Sequence, residues 1–162
     1  KLYLVPVKED NGKDTPDNPT PDVPENPDDE NKEIVENEKI RTNNTTNEIT
    51  SIPNSTITDL KELLGAEIVV KNSNGEVVSN ESNLATGYVV NDKYTISVLG
   101  DVSGDGVVDA RDSLRILKYA VGTYELNNEY AKSADLNKDG IIDARDSLRI
   151  LKYAVDTYKI EL

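Results

Sequence analysis

Residues 101–121, DVSGDGVVDARDSLRILKYAV, return thirty-four residues later at 135–155 as DLNKDGIIDARDSLRILKYAV, and 109–121 recurs at 143–155 without a change. Each copy opens with oxygen-bearing side chains at alternate positions and runs at once into an amphipathic helical pattern. The repeat requires two equivalent loop-and-helix arms, and the loops' chemistry points to a hard cation.

A twelve-residue calcium loop takes ligands from positions 1, 3, 5, 7 (a carbonyl), 9 and 12, with glycine at 6 for the turn. The first copy offers Asp101, Ser103, Asp105, the Val107 carbonyl, Asp109 and Asp112, with Gly106 at the turn. The second offers Asp135, Asn137, Asp139, the Ile141 carbonyl, Asp143 and Asp146, with Gly140. Four carboxylates within twelve residues repel one another unless a cation sits among them. Calcium accepts six to eight oxygens at roughly 2.3–2.6 Å, whereas magnesium prefers a tight, water-rich octahedron. Two bound calcium ions are therefore expected. Each loop also starts its helix: Asp109 is placed as N-cap and Asp112 as third residue, where free N–H groups and the positive dipole end need carboxylates. Val108 and Ile142, at position 8, suit a short strand pairing between the loops.

The charge supports that reading. The chain carries −13 overall, but residues 99–162 hold 9 basic and 12 acidic side chains, a net of −3 that two divalent ions would bring to +1. Such acidity argues against nucleic acid as a partner, because phosphate binding needs clustered Lys and Arg. With no Cys and no His, disulfides, thiol nucleophiles, the usual zinc ligands and a Ser-His-Asp relay are excluded. Paired Asp residues could suggest glycoside hydrolysis, but every duplicated Asp is already used as a loop ligand. No enzyme is expected in this chain.

The rest divides by composition. LYLVPV (2–7) looks like the last strand of an upstream domain, so 1–7 is taken as its tail. Residues 8–31 hold five of the seven prolines amid Asp, Glu, Asn and Thr, a semi-extended, self-repelling spacer. The linker is extended to 46, through NKEIVENEKIRTNNT. From 47 to 98 a small α+β unit is expected: a strand at 49–52, a helix at 58–64 capped by Thr58 or Ser55 and ended by Gly65, then two hairpins turning at Asn74-Gly75 and Asn91-Asp92. The expected class is α+β in two small modules, the second (99–162) all helical. No apolar run reaches the ~20 residues of a membrane span.

Two points separate the repeat from a calmodulin-like sensor: position 12 is Asp rather than Glu, and the strand pattern KYTISVL (93–99) runs straight into the first loop. GDVSGDGVVDARDSLRILKYAVG and DLNKDGIIDARDSLRILKYAV resemble a cellulosome-type, type I-like dockerin module. TGYVVNDKYTISVLGD resembles the β-rich X-like modules that often precede dockerins in clostridial secreted proteins. The resemblance implies a calcium-dependent assembly module that anchors an upstream secreted protein to a cohesin on a scaffold or bacterial cell surface. The upstream protein would be carbohydrate-active, such as a glycoside hydrolase. An EF-hand-like calcium sensor or buffer is the alternative.

On the helices, Leu114, Leu117 and Val121 follow i, i+3, i+7, as do Leu148, Leu151 and Val155, with Ile116 and Ile150 alongside. This stripe is expected to pack the two helices antiparallel. The opposite face carries Arg111, Arg115, Lys118 and Gly122 beside Ala110 and Tyr119. Its twin carries Arg145, Arg149, Lys152 and Asp156 beside Ala144 and Tyr153. The resemblance places cohesin contacts at Ala110, Arg111, Leu117, Lys118 and Gly122, and at Ala144, Arg145, Leu151, Lys152 and Asp156. Near-identical copies imply two docking orientations related by ~180°. Tyr124 and Tyr158 are expected to stack near the chain ends and close the module.

Overall fold

Alternation carries the strands. In Ile40–Asn43 (β2) and Glu48–Ser51 (β3) buried side chains occupy every second position, so one face of the ribbon enters a core and the other meets less crowded surroundings. The computed structural model describes residues 34–162. There β2 and β3 join Ile34–Glu36 (β1), Val70–Lys71 (β4), Val89–Val90 (β5) and Tyr94–Val98 (β6) in a six-stranded sheet of order β1-β2-β3-β6-β5-β4. Neighbours are antiparallel except β3 and β6, which run parallel with Ile49 opposite Ile96 and Ser51 opposite Val98. Parallel neighbours need a long connection, and that connection contains helix α1 (Ile57–Leu64), β4 and β5.

A capping box fixes the start of α1. The Asp59 amide donates to Thr56 Oγ1 at 3.1 Å and the Thr56 amide donates to Asp59 Oδ2 at 2.7 Å. Gly65, at φ 104°, ends the helix where a side chain would be strained. Against the sheet, Ile57 and Leu60 close a core with Ile40, Ile49, Ile68, Val70, Leu84, Val90, Ile96 and Val98. Leu60 is fully buried at its centre. Leu60→Ala is expected to lower unfolding stability by about 3 kcal/mol, read as a shifted midpoint in chemical denaturation followed by tyrosine fluorescence.

From β6 the chain enters the first loop and then α2 (Ala110–Ala120), α3 (Asn128–Ala134) and α4 (Ala144–Ala154). Helices α2 and α4 are the most extensively packed pair of elements. At their crossing the Ser113 and Ser147 hydroxyls meet at 2.7 Å. Ile116 and Ile150 are fully buried in a second core with Leu99, Val102, Val108, Ala134, Leu136 and Ile160. The class is α+β, with no strand among residues 99–162. No helix among the described residues is long and apolar enough to cross a membrane.

Several expectations are corrected. Residues 34–43, assigned to the linker, form β1 and β2, and the two cores lie in one compact unit, Asn31–Leu162. The hairpin at Asn74-Gly75 contracts to β4 and an isolated Lys71–Val77 bridge. Val108 and Ile142 form no strand pair: Val108 is buried in the second core and Ile142 packs on its edge. The second loop is entered from a helix, α3, that the sequence pattern did not announce. The Leu114–Leu117–Val121 stripe does not join the helices, because small Ser113 and Ser147 sit at the crossing and bring the backbones close. Asp112, Ser113 and Ile116 form the buried face of α2, and Asp146, Ser147 and Ile150 that of α4. The upstream tail 1–7 and the proline-rich spacer 8–31 lie outside the described residues.

Candidate metal centres and partner face

The first loop is built around two wholly buried carboxylates, Asp101 and Asp112. Asp101 Oδ1 accepts from the Gly104 amide at 2.8 Å, the Asp105 amide at 3.2 Å and the Ser103 hydroxyl at 3.3 Å. Its Oδ2 accepts from the Gly106 amide at 3.1 Å and, from the sheet half of the unit, the Thr86 amide at 2.9 Å. Asp112 closes the ring, its Oδ1 accepting from the Ser103 amide at 2.8 Å and its Oδ2 from the Asp109 amide at 2.9 Å. The Asp109 carboxylate in turn accepts from the Arg111 amide at 2.7 Å, so the last loop ligands also cap α2. The second loop repeats the plan. Asp146 accepts from the Asn137 amide at 3.1 Å and the Asp143 amide at 3.0 Å, and Asp135 Oδ2 from the Gly140 amide at 2.9 Å.

These residues fit a calcium ion. Every donor in the set is oxygen, the hard chemistry calcium takes. Asp135 Oδ1 is buried with no hydrogen-bond partner, an arrangement that is costly unless something positive meets it. Burial pushes the Asp101 and Asp112 carboxyls above the usual carboxylate range even though backbone amides pull the other way. A cation favours the charged form and reverses that penalty. Asp101, Ser103, Asp105, the Val107 carbonyl, Asp109 and Asp112 would hold one ion, and their counterparts Asp135, Asn137, Asp139, the Ile141 carbonyl, Asp143 and Asp146 another.

Among the described residues no group of three acidic side chains is arranged so as to hold a metal ion, and each loop has a guanidinium among its outer oxygens. Arg111 reaches Asp105 at 2.9 Å and Asp109 at 2.8 Å, and Arg145 reaches Asp139 at 2.8 Å and Asp143 at 2.9 Å. Hydrogen bonds from these arginines hold the Asp109 and Asp143 carboxyls below their ordinary range.

The helix faces differ from the sequence expectation in one respect that bears on binding: the apolar stripe points outward. Leu114 and Leu148 are both 51% exposed, Leu117 and Leu151 40% and 41%, Val121 and Val155 72% and 66%. Ala110, Arg111 and Lys118 lie exposed beside one copy, and Ala144, Arg145 and Lys152 beside the other. Gly122 and Asp156 are exposed after the two helices with φ 73° and 55°. The two remaining arginines of the expected basic face are engaged internally. Arg115 donates to the Tyr124 hydroxyl at 3.2 Å and lies over its ring, and Arg149 does the same with Tyr158 at 3.1 Å. Each tyrosine thus closes its own arm onto an arginine. Tyr119 is exposed, whereas its twin Tyr153 is half-buried and accepts from Asn54 Nδ2 at 3.0 Å.

Sequence reasoning missed Leu114, Val121, Leu148 and Val155 as surface residues and Thr86 as a partner of the first loop. Only the local repeat was legible, and Thr86 lies fifteen residues before the carboxylate it binds.

No curated protein matches the chain. The paired loops, each closed by a position-12 aspartate that also starts a helix, coincide with the match of residues 99–154 to the model of the dockerin type I domain, and this segment of the chain is a type I dockerin.

Proposed function

We propose that this chain attaches an upstream secreted, carbohydrate-active protein to a cohesin carried by a scaffold or by the bacterial cell surface. It would dock in either of two orientations once two calcium ions have folded its loops. Dockerin domains are non-catalytic, calcium-dependent modules that bind cohesins. The observation that carries the reading is the duplicated outward stripe: large apolar side chains with nearly equal exposure on two helices are the composition of an interface core. Exposed Arg111, Lys118, Arg145 and Lys152 beside it favour an acidic patch on the partner.

Titration calorimetry of the intact chain against a panel of cohesins tests this. Tight binding to at least one cohesin in calcium, lost in excess chelator, is expected. Equal binding with and without chelator counts against it. A calcium sensor or buffer is the second reading, favoured by the complete helix–loop–helix of α3, the second loop and α4. It is opposed by the first loop, which is entered from β6.

A further inference from the structure

The two loops are almost the same in sequence, yet their surroundings are not. Residues 83–87, from the sheet half, lie flat on the first loop. A side chain at Gly106 would meet the Leu84 carbonyl at 3.3 Å and Ala85 Cβ at 3.5 Å. One at Gly104 would meet the Tyr130 hydroxyl at 2.8 Å and the Thr86 carbonyl at 3.0 Å. Behind the loop, the Ser133 hydroxyl donates to the Asp101 carbonyl at 3.1 Å, and the Gly100 amide donates to the Ser133 carbonyl at 2.8 Å.

Among the described residues the second loop has no such cover: nothing lies within 4 Å of where a side chain at Gly140 would stand, and Asp135 accepts from the Gly140 amide but from no sheet amide like that of Thr86. The repeat records the difference at position 4, which is Gly104 in the first loop and an exposed Lys138 in the second. Backbone strain does not explain that choice, because Lys138 itself adopts φ 57°. Lack of room does.

We propose that the two calcium loops are unequal. The Thr86 amide and the 83–87 segment pre-organise Asp101, so the first loop holds its ion as a long-lived structural part of the sheet unit, while the second loop exchanges its ion independently. Thr86 and Gly104 are positioning residues for the first site. This rests on the reading that both loops bind calcium.

Stopped-flow release of calcium from the loaded, full chain into a fluorescent chelator tests it. Two phases of equal amplitude are expected, differing in rate by at least about tenfold, the scale of one hydrogen bond to a charged acceptor. Asp135→Asn is expected to remove the fast phase and keep the slow one. Gly104→Lys, the residue the twin loop carries, is expected to speed the slow phase about tenfold, while Lys138→Gly leaves both phases in place. In the unmodified chain, hydrogen-exchange protection of the Thr86 amide is expected to fall with the slow phase. That measurement stands even if Gly104→Lys does not fold. A single phase carrying both ions, loss of the slow phase in Asp135→Asn, an unchanged slow phase in a folded Gly104→Lys chain, or Thr86 protection falling with the fast phase each overturns the inequality. No calcium released from the unmodified chain instead overturns the underlying reading of two bound ions.

Discussion

Excess chelator is expected to melt α2 and α4 in the intact chain while leaving the sheet and α1 folded. Each helix spans eleven residues, below the length at which an isolated helix is stable in water, so both depend on their caps and on mutual packing. The caps are the loop carboxylates themselves: Asp109 and Asp112 for α2, Asp143 and Asp146 for α4. Without a cation, buried Asp101 and Asp112 carry raised pKa values. Their contribution to the metal-free fold is fully present only below the ordinary carboxylate pKa and is lost as pH rises through the raised values, so at neutral pH both oppose folding. At about 1 mM calcium and a dissociation constant on the order of 1 μM, each ion stabilises the folded state by about 4 kcal/mol. Two such ions would together contribute about 8 kcal/mol, comparable with the whole stability of a small domain. Far-UV circular dichroism at neutral pH is expected to show loss of helical signal on chelation and full return on adding calcium. Asp101→Asn combined with Asp135→Asn is expected to reproduce the chelated spectrum at saturating calcium. An unchanged helical signal in chelator would contradict the coupling of ion and helix.

What the sequence made legible divides along one physical line. The loops were readable because metal-ligand spacing, the turn glycine and the helix cap are all local, lying within twelve residues of one another. Helix α1 and the Asn91-Asp92 turn were readable for the same reason, since Gly65 marks the helix end and Asn91 and Asp92 both take positive φ, although the cap is Thr56, paired with Asp59, and not the expected Thr58 or Ser55. Features set by non-adjacent contacts were not. Strands β1 and β2 sit in a polar, Asn- and Glu-rich segment, and β2 is ordered by pairing with β3. Helix α3 buries only Ser133 and Ala134, too small a face to leave a periodic pattern. The apolar stripe of α2 misled because periodicity reports that a face seeks burial without saying where. In this chain Ile116 and Ser113 already complete the internal contact, and the Leu114–Leu117–Val121 edge is left exposed. The likeness of Leu114 and Leu148 in exposure has no counterpart in Tyr119 and Tyr153, because Asn54 of the sheet half donates to the Tyr153 hydroxyl.

That near-symmetry sets the second large effect. If the α2 and α4 faces serve equally in two docking orientations, disabling one removes one of two equivalent states. Leu117→Ala with Lys118→Ala is then expected to weaken cohesin binding only about twofold, close to the statistical factor for losing one mode. The same holds for Leu151→Ala with Lys152→Ala. Combining all four substitutions leaves no intact orientation. Two truncated anchors in an interface core cost on the order of 3 kcal/mol, so binding is expected to fall at least about 100-fold. Leu117 and Leu151 are 40% and 41% exposed, which keeps the change at the surface, and an unaltered calcium-loaded circular dichroism spectrum checks that the helices persist. The comparison is strongly non-additive, and that distinguishes alternative docking from one fixed pose. A single pose would place nearly all the loss in one of the two pairs, with the other pair neutral. Titration of the three variants and the unmodified chain against the tightest cohesin decides between them: a 100-fold loss from either pair alone rejects the two-orientation reading and leaves the calcium-folded attachment module standing.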